Sequence, residues 1–422
     1  MPDPESSNRP PSFFRASLKE WVRLARIRPP APPKLLFRVT RWWTSTVLRE
    51  SGPQLALGGL FAYWALRILR IPARALRPLR ALTGVAVVWE VRNAWLAHRS
   101  VERIDEALED IEPAGEDAPR IPRSHLVVPP LMFVTREVRR ERGVVFSEVD
   151  GERLRLDIYR PGASTPDPSG SGPRPAVIQV HGGGWFAGSR YEQGIPLLNH
   201  LAQIGWVGFN IDYRLSPEAT FPDQIVDVKR AIAWVRENAS ELGIDPELIC
   251  ITGGSAGGHL TALAGLSEND PSFQPGFEEA DTSLSAVVPF YGVYDLTNSN
   301  GFYYEGMRRW VLEQVVFKRR YEDDPDSFRD ASPTFRVHAD APPFLVIHGE
   351  RDTLVPVEDA RFFVERLRSV SRHPVRYVEL PAAEHAFDLW PSERTARIAE
   401  GIGRFLTAVA GSGRAERSAT EA

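Results

Sequence analysis

The feature that most constrains this chain is the stretch Cys250-Ile251-Thr252-Gly253-Gly254-Ser255-Ala256-Gly257-Gly258-His259. The apolar run Leu248 to Ile251 predicts a buried strand, and Leu260, Leu263 and Leu266 predict a helix directly after it. Between them Gly253, Ser255 and Gly257 make G-x-S-x-G, the strand-turn-helix pattern of a nucleophile elbow. A serine hydroxyl is a weak nucleophile and must be presented clear of its own backbone to a base. The sharp turn needs small neighbours, and the helix that starts at the serine points free N–H groups at any developing oxyanion. A glycine-rich turn with no chemistry is the plain alternative, and the rest of the chain decides between them.

His181-Gly182-Gly183-Gly184-Trp185 directly follows the apolar run Ala176–Val180. Glycines there let backbone N–H groups approach a carbonyl oxygen that gains negative charge. A phosphate-binding loop is disfavoured because no G-K-[ST] follows. A serine nucleophile needs a base, and the base needs an orienting carboxylate. Of nine histidines, His385 lies in a loop after the last predicted strand, where a base would overhang the sheet edge. His181 is expected to orient its loop, and His259 and His348 to be structural. Asp352, in the turn after strand Phe344–Ile347, is the expected carboxylate, with Glu350 and Asp388 as rivals. The order Ser255, Asp352, His385 is that of α/β-hydrolases.

The surrounding pattern agrees. Apolar strands at Ala176–Val180, Val207–Ile211, Leu248–Ile251, Ala286–Phe290, Phe344–Ile347 and Val375–Leu380 alternate with helical stretches at Ile225–Asn238, Val357–Leu367 and Ser392–Val409. That predicts an α/β fold with a mostly parallel central sheet and helices on both faces. Val144 to Tyr159 reads as a hairpin turning at Asp150-Gly151. Leu296 to Pro333 breaks the rhythm and reads as a cap-like insertion above the strand ends. The expected organisation is an N-terminal helical extension over 1–110, a linker over 111–142, the catalytic domain over 143–410 with the insertion at 296–333, and a disordered tail over 411–422. An apolar content of 43% suffices for a large core. The single cysteine, Cys250, excludes an internal disulfide and reads as packing.

The N-terminal extension differs in charge from the rest. Between Arg9 and Arg80 stand fifteen Lys/Arg against Glu20 and Glu50, while the whole chain carries −4. Phe13 to Ile27 is basic and amphipathic, and prolines stop it; Leu35 to Leu48 mixes apolar residues with Arg38, Arg41 and the pair Trp42-Trp43. Gly52 to Leu66 is uncharged, but about fifteen residues reach only roughly 22 Å of a ~30 Å hydrocarbon core. Ile68 and Leu69, with Arg67 and Arg70 snorkelling, bring the stretch close to a span. No secretory signal is expected at the start of the chain, where Met-Pro-Asp-Pro-Glu makes no basic n-region. Association with a membrane or cell envelope is therefore expected, with a cytoplasmic location as the alternative. Nucleic acid is not an expected partner.

From about residue 120 onward the segments HGGGWFAGS, DYRLSPEATFPDQIVDVKRAIAWV, ITGGSAGGHL, GERDTLVP and EHAFDLW resemble the hormone-sensitive-lipase-like esterases of the α/β-hydrolase superfamily. More narrowly, the chain is similar to actinobacterial carboxylesterases with a basic, hydrophobic N-terminal extension. The resemblance implies Ser255 as nucleophile, Asp352 as acid and His385 as base, with oxyanion N–H groups from Gly183, Gly184 and Ala256. It also implies that Asp212 and Arg214 brace the oxyanion loop. Trp185 is expected to help shape a substrate pocket. The elbow reads Gly-Gly-Ser where many lipase-like relatives have Gly-Asp-Ser, which brings in acetyl-xylan and feruloyl esterases and arylformamidases as neighbours. The expected function is a serine carboxylic-ester hydrolase acting on small-molecule or lipid esters, with no metal or organic cofactor implied. Its alternatives are an arylformamidase-type amide hydrolase and a membrane-bound scaffold without activity.

Overall fold

Short runs of β-branched and aromatic residues, buried along their whole length, build the centre of the molecule. The computed structural model describes residues 33–50, 63, 66, 72, 74–112, 121, 137–162, 165, 172–389 and 392–421. The strands are β1 Val138–Val149, β2 Glu152–Pro161, β3 Arg174–Val180, β4 Val207–Ile211, β5 Ile244–Gly254, β6 Ala286–Phe290, β7 Phe344–Gly349 and β8 Val375–Leu380. They form one sheet in the order β1-β2-β4-β3-β5-β6-β7-β8. β1 and β2 are antiparallel to their neighbours, and β4, β3 and β5 to β8 run parallel. The hairpin between β1 and β2 turns where expected, with Asp150 and Gly151 both at positive φ.

The apolar runs are continuous because both faces of the sheet are covered. Ile178, Val180, Ile249 and Ile251 join one core, under helices α4 (Asp223–Glu237), α5 (Ala256–Gly265) and α6 (Val357–Val370). Their alternates Val177, Leu248 and Cys250 join a second core, under α3 (Ile195–Gln203) and α7 (Glu393–Glu421). Each fully buried aliphatic side chain contributes roughly 2 kcal/mol. Cys250 belongs to this packing, and burial pushes its thiol up to about 12.

Parallel strands deliver their C-terminal ends to one edge, which is where α/β sheets place ligand sites. Register fixes the heights: Val180 pairs with Gly253, Gly254 with Phe290, and Gly349 with Leu380. The loops after β3, β5, β7 and β8 therefore emerge side by side. Residues 296–333, read from the sequence as a cap-like insertion, contribute buried side chains to the first core. Of these, Met307–Val316 wind as a π-helix whose Trp310, Val311 and Val315 enter that core. Trp310 meets Phe186 of the loop after β3 edge to face, with ring centres 6.2 Å apart.

Two boundaries differ from expectation. β1 begins at Val138, inside the stretch read as linker, because Val138 pairs with Pro161 at the sheet edge. The Gly/Ser/Ala-rich end is not frayed: α7 continues to Glu421, and Arg417 pairs with Asp245 at 2.7 Å.

Two helices of the N-terminal extension are described, α1 (Pro33–Glu50) and α2 (Arg77–Ala107). α2 lies on α7, with Ile104 so close that a Cβ on Gly401 would sit 2.2 Å from its methyl carbon. Arg394 donates to the Ser100 hydroxyl at 3.2 Å, and Arg376 pairs with Asp110 at 2.6 Å. Among the described residues no helix is long and apolar enough to cross a membrane. The segments Phe13–Ile27 and 52–62 lie outside the described residues.

Candidate active site

Ser255 sits between β5 and α5 at φ 58° and ψ −121°. A non-glycine residue held there costs on the order of 1–3 kcal/mol, so the surroundings must hold it. Its N–H donates to the Phe290 carbonyl (3.0 Å), and its carbonyl accepts from His259 N (2.9 Å). The motif glycines allow the close approach. A Cβ on Gly257 would lie 2.2 Å from the Val180 carbonyl oxygen and 2.5 Å from that of His181. The first turn of α5 thus backs directly onto the end of β3 and the loop that follows it.

That loop is His181 to Gly188. Gly183 has φ 114°, and a Cβ there would meet the Ala187 carbonyl oxygen at 2.1 Å. His181 is buried, stacks on Tyr213 with ring centres 4.3 Å apart, and its Nδ1 lies 2.7 Å from the Gly182 carbonyl. Burial lowers its pKa, although Asp212 opposes the shift, so it stands as a neutral orienting group. Asp212 accepts from the backbone N–H of Arg190 at 3.0 Å and pairs with its guanidinium. Arg214 grips Asp227 of α4 through Nε at 2.9 Å and Nη2 at 2.9 Å. Trp185, expected at a substrate pocket, is only 4% exposed, and its indole donates to His259 Nδ1 at 3.1 Å. Its ring packs on α5, because an indole needs a partner for its N–H when buried. His259 is structural, held also by the Ala331 carbonyl at 2.8 Å, and burial lowers its pKa to about 4.

Ser255, Asp352 and His385, far apart in the chain, meet above the sheet edge. His385 Nε2 is 2.9 Å from Ser255 Oγ, and Nδ1 is 2.6 Å from Asp352 Oδ2. An ionised carboxylate can only accept, so the proton rests on Nδ1 and Nε2 is free to accept from the serine. Asp352 is fully buried. Burial alone would raise its pKa, but His385 and His348 outweigh this and hold it at about 2. Its Oδ1 accepts from Leu354 N (2.9 Å) and Val355 N (2.7 Å). The rivals are engaged elsewhere: Glu350 accepts from Ala382 N at 2.7 Å, and Asp388 pairs with the Tyr291 hydroxyl.

Several supporting residues carry no signal that the sequence reading used. His348 places Nε2 2.9 Å from the Val355 carbonyl and 3.4 Å from Asp352 Oδ2, a second imidazole on the same carboxylate. Its position four residues before Asp352 was the available clue. Glu384, fully buried, accepts from Thr353 N at 2.6 Å and from His385 N at 3.2 Å, joining the two loops. The Tyr291 ring lies 4.7 Å from that of His385. The His385 carbonyl accepts from Trp42 Nε1 (2.8 Å) and Thr46 Oγ1 (3.3 Å), both on α1.

Comparison with known proteins places this arrangement. The BD-FAE family profile matches residues 156–367, half of the chain. The chain belongs to the BD-FAE family. Two relatives from Mycobacterium tuberculosis extend the likeness. The "Probable carboxylic ester hydrolase LipM" is 48% identical over 279 residues, covering 66% of this chain and 63% of that protein. "Esterase LipQ" is 41% identical over 352 residues, covering 79% of this chain and 82% of that protein. The match thus spans slightly less than two thirds of LipM and most of LipQ. Among solved structures, a "Truncated form of carbohydrate esterase from gut microbiota" superposes with a TM-score of 0.54 at 26% identity, over 64% of this chain and 96% of that one. The BD-FAE match includes Ser255 and Asp352, whereas His385, α1 and α2 lie beyond its ends.

Proposed function

We propose that this BD-FAE chain is a serine carboxylic-ester hydrolase working through an acyl-enzyme. The observation that carries the proposal is the unbroken line from Ser255 Oγ through the His385 imidazole to Asp352, at 2.9 and 2.6 Å. His385 Nε2 takes the serine proton as Oγ attacks the ester carbonyl. The N–H groups of Gly183, Gly184 and Ala256 receive the oxyanion, each such donor being worth about 3 kcal/mol of barrier. The imidazolium then protonates the departing alkoxide and the acyl group stays on Oγ. Water, deprotonated by the same Nε2, releases the acid and restores the hydroxyl. Asp352 keeps the imidazole in the productive tautomer and stabilises its charged form.

Ser255→Ala tests this. Turnover of a short-chain aryl ester by the pure protein should vanish while circular dichroism stays unchanged, and a fluorophosphonate should label wild type alone. Undiminished turnover by the variant would refute the proposal.

We further propose that the N-terminal extension rests on an anionic lipid surface. Supporting this, α2 exposes Leu82, Val85, Val88, Val91 and Trp95. Arg77, Arg80 and Arg92 stand exposed among them, and the Arg92 guanidinium lies 5.1 Å from the Trp89 ring centre. Apolar side chains ringed by arginines suit acyl chains beneath negative headgroups. The full chain should sediment with phosphatidylglycerol vesicles, less with phosphatidylcholine, and Val85→Asp with Val88→Asp should weaken both. Equal partitioning of wild type and variant would overturn it.

A further inference from the structure

The loop that carries the catalytic histidine is strained on both sides. Ala382 and Ala386 have φ of 54° and 57°. A residue with a Cβ pays roughly 1–2 kcal/mol for such a conformation, and no glycine relieves it between Pro381 and Leu389. A loop built this way relaxes unless its peptide groups are held. On the side of the sheet, Glu350 holds Ala382 N, and Glu384 holds His385 N. Downstream, Thr395 donates to the Phe387 carbonyl at 3.3 Å.

The carbonyl of His385 itself points the other way, at α1. The indole of Trp42 and the hydroxyl of Thr46 both donate to it. These residues are one helical turn apart, so their side chains share a face and fill both lone pairs of one oxygen. Thr46 is fully buried, and the Trp42 ring stands edge-on to the imidazole at 5.9 Å between centres. α1 has independent anchors. Leu35 is 4% exposed within the main core, and the Arg38 guanidinium lies 5.3 Å from the Tyr304 ring centre in the insertion.

We propose that α1 is a positioning element of the catalytic base, with Trp42 and Thr46 acting through the backbone carbonyl of His385. Rotation of the peptide plane between His385 and Ala386 is the route by which Ala386 would leave positive φ. That rotation moves the imidazole off the line between Ser255 Oγ and Asp352. Two donors on the carbonyl oppose it. The N-terminal extension, which lies outside the family match, thereby completes the catalytic geometry as well as covering the protein. This inference rests on the hydrolase proposal above, because its main readout is turnover.

The test uses the full chain and a short-chain aryl ester. Thr46→Val removes one donor at nearly constant shape, Trp42→Phe removes the other while keeping a ring, and Thr46→Ser keeps the hydroxyl. The double variant Trp42→Phe with Thr46→Val should lower kcat roughly 10- to 100-fold, the range expected for a displaced catalytic group. KM should change less than about threefold and the acyl-enzyme should form more slowly, with Thr46→Ser near wild type. The low-field proton resonance of the His385 Nδ1–H should broaden or move in the double variant. Unchanged kcat and an unchanged resonance in a folded double variant would overturn the proposal. So would a fall in kcat in which Thr46→Ser is no better than Thr46→Val and both track thermal stability. If the double variant does not fold, the pair Thr46→Val and Thr46→Ser decides alone. If wild type shows no Ser255-dependent turnover, the hydrolase reading fails, and the Nδ1–H resonance still judges the role of α1.

Discussion

Ser255 and His385 stand 2.9 Å apart, yet the elbow and the histidine loop are held by different means. The elbow is held by backbone. Its strained serine is pinned by main-chain hydrogen bonds to Phe290 and His259, and by glycines pressed against the carbonyls of Val180 and His181. Besides the main-chain bond from Arg351 N to the Ala383 carbonyl at 3.0 Å, the histidine loop is tied by side chains: Glu350 from the acid turn, its own Glu384, and Trp42 and Thr46 from the other end of the chain. Backbone contacts between neighbouring strands and helices leave little freedom to vary. Side-chain ties can be trimmed one at a time, so the base should be the adjustable half of the site.

Four substitutions probe this contrast. The largest effect is expected from Asp352→Asn, which leaves the elbow untouched but removes the charge that fixes the imidazole tautomer. kcat should fall by about 10⁴, read in steady-state assays, with little change in the circular dichroism spectrum. Gly257→Ala attacks the other half. Its new methyl meets backbone oxygens that have no room to retreat, so stability should drop by about 3 kcal/mol, seen in urea unfolding, and activity should fall with it. A stable Gly257→Ala protein with full activity would break the contrast. Glu384→Ala leaves two backbone N–H groups without an acceptor; a cost of about 2 kcal/mol and a kcat reduced roughly tenfold are expected. Glu384→Gln, which restores a carbonyl acceptor, should recover most of the activity.

The smallest effect concerns pH. Asp359, at the start of α6, accepts from Tyr294 N at 2.7 Å and from the Tyr303 hydroxyl. Burial raises its pKa to about 7 despite these hydrogen bonds. A carboxyl whose folded pKa is raised binds its proton more tightly when folded. The stability this gives is fully present below about pH 4 and is lost as pH rises through about 7. Asp359→Asn, which does not titrate, should therefore flatten the change in Tm between pH 5 and pH 8. An equal slope in both proteins would show that the carboxyl is not the group responsible.

What the sequence made legible follows the same division. Val207–Ile211 and Ala286–Phe290 occupy the residues expected of them, and Ala176–Val180 forms most of β3, because burial on both faces leaves an unbroken apolar signature; Val375–Leu380 also falls where expected, although as an edge strand it carries Arg376 and Glu379. The elbow is contiguous, so its motif is visible in one short stretch. Asp352 and His385 were readable from their places after the last strands. Glu384, Trp42 and Thr46 were not, since each acts on a partner brought near only by the fold, and for Trp42 and Thr46 that partner is a main-chain carbonyl that any residue would supply; His348 was expected to be structural, but its hold on Asp352 was not foreseen. The bond from the Trp185 indole to His259 was not legible either, because it joins residues 74 apart in the chain. The end of α7 misled because small residues suggest fraying, whereas Arg417 and Asp245 secure it.

The bond from Thr46 to the histidine carbonyl closes a gap of 339 residues. On a ribosome adding about 5–20 residues per second, α1 emerges early and waits on the order of half a minute for the acceptor it will meet. Throughout that interval the His385 carbonyl that Trp42 and Thr46 will donate to has not been made, while the elbow can assemble from segments made close together in time. Nascent chains stalled before residue 385 should therefore expose this helix to proteases or chaperones, and hydrolytic competence should arrive only with the last segments translated.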